Sequence, residues 1–331
     1  MKKAGLWWAL LLTALVVSRP ACALDHVIFG TDWRAEAEHG GYYAAIAEGI
    51  YARHGIEIEL RQGGPQINQT QLLAAGRLDF AIVSNSFLPL NVRQQNIPLI
   101  AVAALFQKDP SVLIAHRDAG FKDLASLKGK PIMIGGDTRV GWWLFLKARF
   151  GYTDAQIRPY TFNLAPFLTN PRAIQQGYLT SEPFLIQQAG GDPQVFLLAD
   201  SGYASYGSLI ETSAKLAHDN PGLVQRFVDA SIEGWYAYLK RDPAAANALI
   251  KKDNPEQTDG LLAYARSTMA GHGIVDSGDA KALGVGAMTD ARWRVFFDVM
   301  AKQGLYPTDM NYRQAYTLRF VDHRVGLKTQ P

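Results

Sequence analysis

Apolar residues in the first half of the chain fall in short runs separated by polar turns. His26-Val27-Ile28-Phe29-Gly30 predicts a strand, and the stretch from about Gly41 to Ala52 predicts a helix. Gly55 to Leu60 alternates apolar and polar residues and predicts a second strand. Gln66 to Ala75 predicts a helix stopped by Gly76, and Asp79 to Val83 a third strand ending at Ser84-Asn85. Leu99 to Leu105 predicts a further apolar strand. A second block opens at Val112-Leu113-Ile114-Ala115, with strands expected at Pro131 to Ile134, Tyr160 to Phe162, Gly177 to Thr180 and Val195 to Leu198. Helices are expected after Asp137-Thr138, read as a cap, and from Pro183 to Ala189. This strand–helix rhythm predicts an α/β protein whose mainly parallel sheets are covered on both faces.

Beyond about Ser201 the alternation fades and helices dominate. Val224, Phe227, Val228, Ser231, Ile232, Trp235, Tyr238 and Leu239 follow helical spacing between Asn220-Pro221 and Asp242-Pro243. Two α/β blocks and a helical tail predict two lobes, with the tail packing on the first sheet. In such open sheets ligands bind beyond the carboxyl ends of the strands, so strand-end turns from both lobes should line a cleft.

The N-terminus has a different pattern. Met1-Lys2-Lys3 precedes an apolar run from Ala4 to Val17 and then Ser18-Arg19-Pro20-Ala21-Cys22-Ala23. A basic start, a short apolar core and an A-x-A site predict a cleavable signal peptide over 1–23, and hence a soluble periplasmic product. The run is too short for a spanning helix. Of the 33 lysines and arginines, Lys2, Lys3 and Arg19 lie in this segment, and the rest balance the 30 acidic residues. The net charge of +3 therefore implies no basic nucleic-acid surface. Cys22 is the only cysteine. Its loss with the signal would exclude disulfides, thiolate metal sites and thiol nucleophiles.

Catalytic signatures are missing: there is no G-x-S-x-G elbow, H-E-x-x-H pair or Walker loop. Gly284-Val285-Gly286 begins like a dinucleotide fingerprint but lacks the last glycine and a preceding strand. No two of the seven histidines sit at i, i+4 spacing, so no metal site and no cofactor are expected.

The strand-end turns are instead rich in aromatic and hydrogen-bonding groups, the usual composition of a small-ligand cleft. Turn one holds Thr31-Asp32-Trp33 and Glu38-His39-Gly40-Gly41-Tyr42-Tyr43. Turn two holds Gln62-Gly63-Gly64-Pro65, and turn three Ser84-Asn85-Ser86. The second block contributes Arg139 to Trp143, Thr161-Phe162-Asn163 and Thr180-Ser181-Glu182-Pro183. The candidate ligand residues are Trp33, His39, Tyr42, Gly64, Ser84, Asn85, Arg139, Trp142, Asn163 and Glu182. Structural roles compete for several of them. Asn85 suits a helix cap, His39 a helix start, and Glu182 an ion pair with Arg139 or Arg172. Only one member of each pair Tyr42–Tyr43 and Trp142–Trp143 should face the cleft, since neighbours on a helix point about 100° apart.

These residues also carry a family likeness. The run T-D-W … H-G-G-Y-Y-x-A-x-A-x-G-x-Y, the segment L-L-A-A-G-R-L-D-F ending in S-N, and L-K-G-K-P-I resemble substrate-binding proteins of ABC importers. More narrowly, they resemble the thiamine-pyrimidine, nitrate, sulfonate and taurine group, whose domain is shared with a thiamine-pyrimidine synthase. The resemblance implies a type II periplasmic binding fold with crossovers near Phe106 to Pro110 and Ala199 to Tyr206. Lobe 1 would then comprise 24–108 and 204–331, and lobe 2 would comprise 109–203. It also implies a monomer that delivers a small molecule to an inner-membrane permease driven by a separate ATPase. The enzyme alternative, a synthase-like exported protein, meets two departures: the synthase is cytosolic, and it carries a cysteine-rich motif and pyridoxal phosphate on a lysine.

Ligand class turns on Glu182. An anion such as a sulfonate, taurine or nitrate wants cationic or N–H donors around it, and Arg139 would serve. A carboxylate at the same place repels an anion and suits a ligand with paired N–H donors or a positive charge. A flat nitrogen heterocycle of aminopyrimidine type, sandwiched by Trp33, Tyr42 and Trp142, is the reading favoured here, with the anion receptor as its alternative.

Overall fold

The computed structural model describes residues 23–325 and Leu327. The predicted signal segment lies outside them except for its last residue. Ten strands form two five-stranded sheets. The strands are β1 (Asp25–Gly30), β2 (Ile56–Arg61), β3 (Phe80–Asn85), β4 (Leu99–Phe106), β5 (Ser111–His116), β6 (Ile132–Ile134), β7 (Ile157–Pro159), β8 (Ile174–Tyr178), β9 (Pro193–Leu197) and β10 (Gly207–Ser213). The first sheet runs β2-β1-β3-β10-β4 and the second β7-β6-β8-β5-β9. The helices that matter below are α1 (Gly40–Ala47), α2 (Ile50–Arg53), α3 (Gln69–Ala74), α4 (Phe87–Gln94), α5 (Trp142–Phe150), α6 (Ala165–Thr169), α7 (Glu182–Gln188), α8 (Ala214–Asp219), α9 (Pro221–Lys240), α10 (Ala244–Asp253) and α11 (Asp259–Gly271).

Four strands of each sheet run the same way and one runs against them, β10 in the first sheet and β5 in the second. Geometry explains both exceptions. The chain leaves the first sheet at the carboxyl end of β4 and enters the second through β5 within five residues, so β5 starts at the cleft and must run away from it. The return from β9 to β10 repeats the same situation. The two crossings lie side by side and are tied by Arg292, whose guanidinium donates to Gln107 O in the first and to Ala204 O and Ser205 O, at 3.2 and 3.0 Å, in the second.

The first sheet is covered by α1 and α9. Phe29, Tyr42, Phe80, Phe227 and Trp235 fill the space between, with Phe80 and Phe227 stacked 3.9 Å apart. Asn220 opens α9 as expected, its side chain accepting the Leu223 N–H. The second sheet has a smaller core around Val112, Ile114, Phe167 and Ile186.

The structure departs from the expected elements in six places. The helix expected over 41–52 is two, α1 and α2, because Gly49 takes the left-handed φ of 65° that only glycine adopts freely. Asp137 and Thr138 do not cap α5; they lie in a separate 3-10 turn, and Gly141 occupies the capping position. The strand expected at 160–162 forms earlier, at 157–159, and that expected at 177–180 forms at 174–178. The central strand β10 is the element the pattern hides, since Glu211 and Thr212 interrupt the apolar run although both are fully buried. The segment 284–286, dismissed as a nucleotide motif, pairs instead with β4 through Ala104 and Gly286.

Candidate functional site

Turns at the carboxyl ends of both sheets enclose one cavity of about 490 Å³. That volume lies within the usual range for small-ligand sites. The first lobe supplies the segment between β1 and α1 (Asp32, Trp33, Glu36, Glu38, His39), the loop into α3 (Gly64 to Thr70) and the end of β3 (Ser84, Asn85). The second supplies Thr138, Gly141, Trp142, Phe162, Tyr178 and Glu182. The lobes touch directly around the rim. The rings of Trp33 and Phe162 lie 4.7 Å apart, Asn91 Nδ2 donates to Val140 O at 3.2 Å, and the Thr180 hydroxyl donates to Glu38. Tyr264 on α11 adds a bond to Leu179 O at 3.2 Å. The lobes are therefore closed on each other, with two tilted aromatic rings in contact at the mouth.

The cavity is acidic. Four lining residues are carboxylic acids, and none is a lysine or arginine among the described residues. Asp32 stays in the charged form. Burial alone would raise its carboxyl, but His39 Nε2 at 3.0 Å and the Ser84 hydroxyl hold it below its ordinary value. Glu36 is pushed well above the carboxylate range by burial and by the nearby charges of Glu38, Asp32 and Glu182. Glu38 is also raised, first by burial, although its bond from Thr180 acts in the opposite direction. Glu182 rises to about 7 through burial and the charge of Glu38, despite accepting the Tyr178 N–H at 2.7 Å. Behind the cavity Asp109, in the first crossing, is raised to about 6 by burial. With no lysine or arginine among the described lining residues, burial disfavours the charged forms of Glu36, Glu38 and Glu182, and N–H donors or a positive charge on a guest would favour those forms again. Among the described residues no cluster of His, Cys, Asp and Glu has the arrangement of a metal site.

Seven of the residues singled out from the sequence line this cavity: Trp33, His39, Gly64, Ser84, Asn85, Trp142 and Glu182. Several of them have a second task. Asn85 Oδ1 accepts the Phe87 N–H at the start of α4, and His39 sits at the start of α1 with Asp32 on its ring. Glu182 pairs with neither Arg139 nor Arg172; it begins α7 and turns back on Tyr178.

Three expected residues are elsewhere. Tyr42 is fully buried, its ring 4.9 Å from Phe29 and 6.0 Å from Trp235, because its helical face meets α9 instead of the cleft. Tyr43 does not replace it; its hydroxyl donates to Asp253. Arg139 is exposed, since the tight 3-10 turn aims Thr138 and Gly141 inward and turns Arg139 out. Asn163 is exposed too, its side chain accepting the Ala165 N–H that opens α6. Conversely, the sequence reading passed over Glu36 and Tyr178, and gave Asp32, Glu38 and Phe162 no role of their own. A signal existed for the acids: Asp32, Glu36 and Glu38 crowd a single strand-end turn.

A sheet pair with two crossings and an enclosed cleft at the strand ends is the architecture of the periplasmic binding proteins. The periplasmic aliphatic sulphonate binding protein SsuA of Escherichia coli shares it, with a TM-score of 0.66, 14% identity, and coverage of 88% of this chain and 91% of that one. Within that class the chain belongs to the NMT1/THI5-like family, whose model matches residues 36–246. It is similar to the riboflavin-binding protein RibY of Chloroflexus aurantiacus, 25% identical over 306 residues that cover 90% of this chain and 86% of that protein. It is also similar to the formylaminopyrimidine-binding protein of Halalkalibacterium halodurans, 22% identical over 236 residues, 69% of this chain and 71% of that protein.

Proposed function

We propose that the protein is an exported solute receptor of an ABC importer. It captures a small flat nitrogen heterocycle with paired N–H donors, of aminopyrimidine type, by closing two lobes around it. The cleft carries the proposal: it combines aromatic rings from both lobes, Trp33, Trp142 and Phe162, with carboxyl groups and no lysine or arginine among the described residues. Ring faces supply stacking area, and Glu182 with Glu36 and Glu38 accept from the exocyclic amino N–H groups. Binding energy comes from both lobes at once, so ligand shifts the population towards the closed form. Release then requires the lobes to part, the step a docked permease would drive. The two named relatives bind heterocycles, which agrees with this chemistry.

The anion reading drawn from sulfonate-type receptors finds less support. Arg139 points to solvent, and an anion in the cavity would meet four carboxyl groups and one histidine already engaged by Asp32. A synthase-like enzyme would need a lysine to hold pyridoxal phosphate, and the lining residues include neither lysine nor cysteine.

A thermal-shift screen of purified protein tests the proposal, because binding to the folded state alone raises Tm. Aminopyrimidines and flavins are expected to raise Tm, while taurine, alkanesulfonates and nitrate are expected to leave it unchanged. Stabilisation by a sulfonate with no response to any heterocycle would reverse the assignment.

A further inference from the structure

The acid in the cleft exceeds what a neutral heterocycle requires. The amino group of a neutral aminopyrimidine offers two N–H donors, enough for a single carboxylate. The cavity presents four, three on the first lobe and Glu182 on the second. They sense one another across the cleft: Glu36 is raised by the charges of Glu38, Asp32 and Glu182, and Glu182 by that of Glu38. Glu36 has no side-chain hydrogen bond among the described residues, whereas Asp32 has His39, Glu38 has Thr180 and Glu182 has the Tyr178 amide. Closing the lobes thus carries Glu182 towards three acids on the opposite lobe, and buried carboxylates without a cationic partner oppose that approach.

We propose that the ligand is held as a cation, its positive charge enclosed between Glu182 of the second lobe and Asp32, Glu36 and Glu38 of the first, and that this charge drives the lobes together. The inference rests on the reading of the cavity as a heterocycle site and specifies the charge of its guest. A delocalised cation such as an amidinium, a protonated aminopyrimidine or a quaternised ring nitrogen meets all the local demands. It donates N–H bonds, or spreads charge, towards carboxylates on both sides and leaves none buried without a partner. Its flat face also suits Trp33, Trp142 and Phe162, since aromatic faces attract cations. The lone basic group of the lining, His39, does not meet this demand, because its Nε2 is held by Asp32 and its ring is 2% exposed.

Three rings of nearly equal size and different charge separate the contributions: benzamidine, benzamide and benzoate, each titrated calorimetrically into the full-length mature protein. Benzamidine is expected to bind at least tenfold more tightly than benzamide, and benzoate not at all. Benzamide equal to benzamidine, preferential binding of benzoate, or no binding of benzamidine would each overturn the inference. In Glu36→Gln the benzamidine-to-benzamide ratio is expected to fall at least threefold while Tm of the free protein rises; a folded variant with an unchanged ratio would also overturn it. Glu182→Gln gives the same reading should the first variant not fold. Titration of 4-amino-2-methylpyrimidine in parallel keeps the two claims apart. If it binds while the three rings show no charge order, the cation fails and the heterocycle stands. If it does not bind while the charge order holds, the heterocycle fails and the cation stands.

Discussion

Glu211 shows how a single residue can be costly without touching ligand. It lies in β10, opposite Ala81 and Ala101, fully buried, and neither carboxylate oxygen has a hydrogen-bond partner. Burial raises its carboxyl to about 8. In the unfolded chain the same group ionises near its ordinary value of 4.5. Between these two values the unfolded state is charged and the folded state neutral, so unfolding releases a proton and stability falls as pH rises. Each unit of that window costs up to about 1.4 kcal/mol. Glu211→Gln removes the titration. Its stability relative to wild type is therefore expected to grow steadily from about pH 5 to pH 8 in denaturant titrations, and parallel pH profiles would show that the site is compensated. The residue scale is also where the sequence was most and least legible. Trp33, Asn85, Trp142 and Glu182 stand at strand ends, and the rule that ligands bind there suffices to gather them. Tyr42 and Arg139 were misplaced because their direction depends on helix rotation and on a 3-10 turn, which one-dimensional spacing does not encode.

At the scale of elements, the H-G-G-Y-Y run turns out to be a packing device. Helix α1 crosses α9 with Gly41 against the Trp235 indole, Gly40 against the Tyr238 ring and Gly234 against the Gly41 carbonyl. A β-carbon on Gly41 would lie inside the indole. Overpacking of this kind typically costs about 1–3 kcal/mol, since neither helix can retreat without opening the sheet beneath. Gly41→Ala is accordingly expected to lower Tm by several degrees while leaving ligand affinity within about twofold, because no lining residue is altered. An unchanged Tm would show that α1 and α9 are looser than this crossing implies. The same scale explains which elements could be read in advance. Continuous apolar strands such as β4 announce themselves, and Asn220-Pro221 marks the start of α9. Strand β10 does not, because Glu211 and Thr212 break its apolar run and only pairing with β3 and β4 on either side holds it as a strand.

For the molecule as a whole, two lobes joined by paired crossings make a hinge. Arg292 fastens the two crossings to each other, so the proposed opening of the lobes would have to bend both at once. Direct contacts at the rim, Trp33 on Phe162 and Thr180 on Glu38, narrow the opening of the cleft and leave its carboxyl groups at most partly exposed. Residues from both lobes must act on one guest for this arrangement to work as a receptor, and Glu182 is the acid that the second lobe contributes. The most direct measurement is therefore a tryptophan-fluorescence titration of 4-amino-2-methylpyrimidine into wild type and into Glu182→Gln. A charged hydrogen bond of this kind is worth about 1.5–3 kcal/mol, so the variant is expected to bind roughly 10- to 100-fold more weakly, with its Tm preserved. Equal affinity in the two proteins would contradict the account.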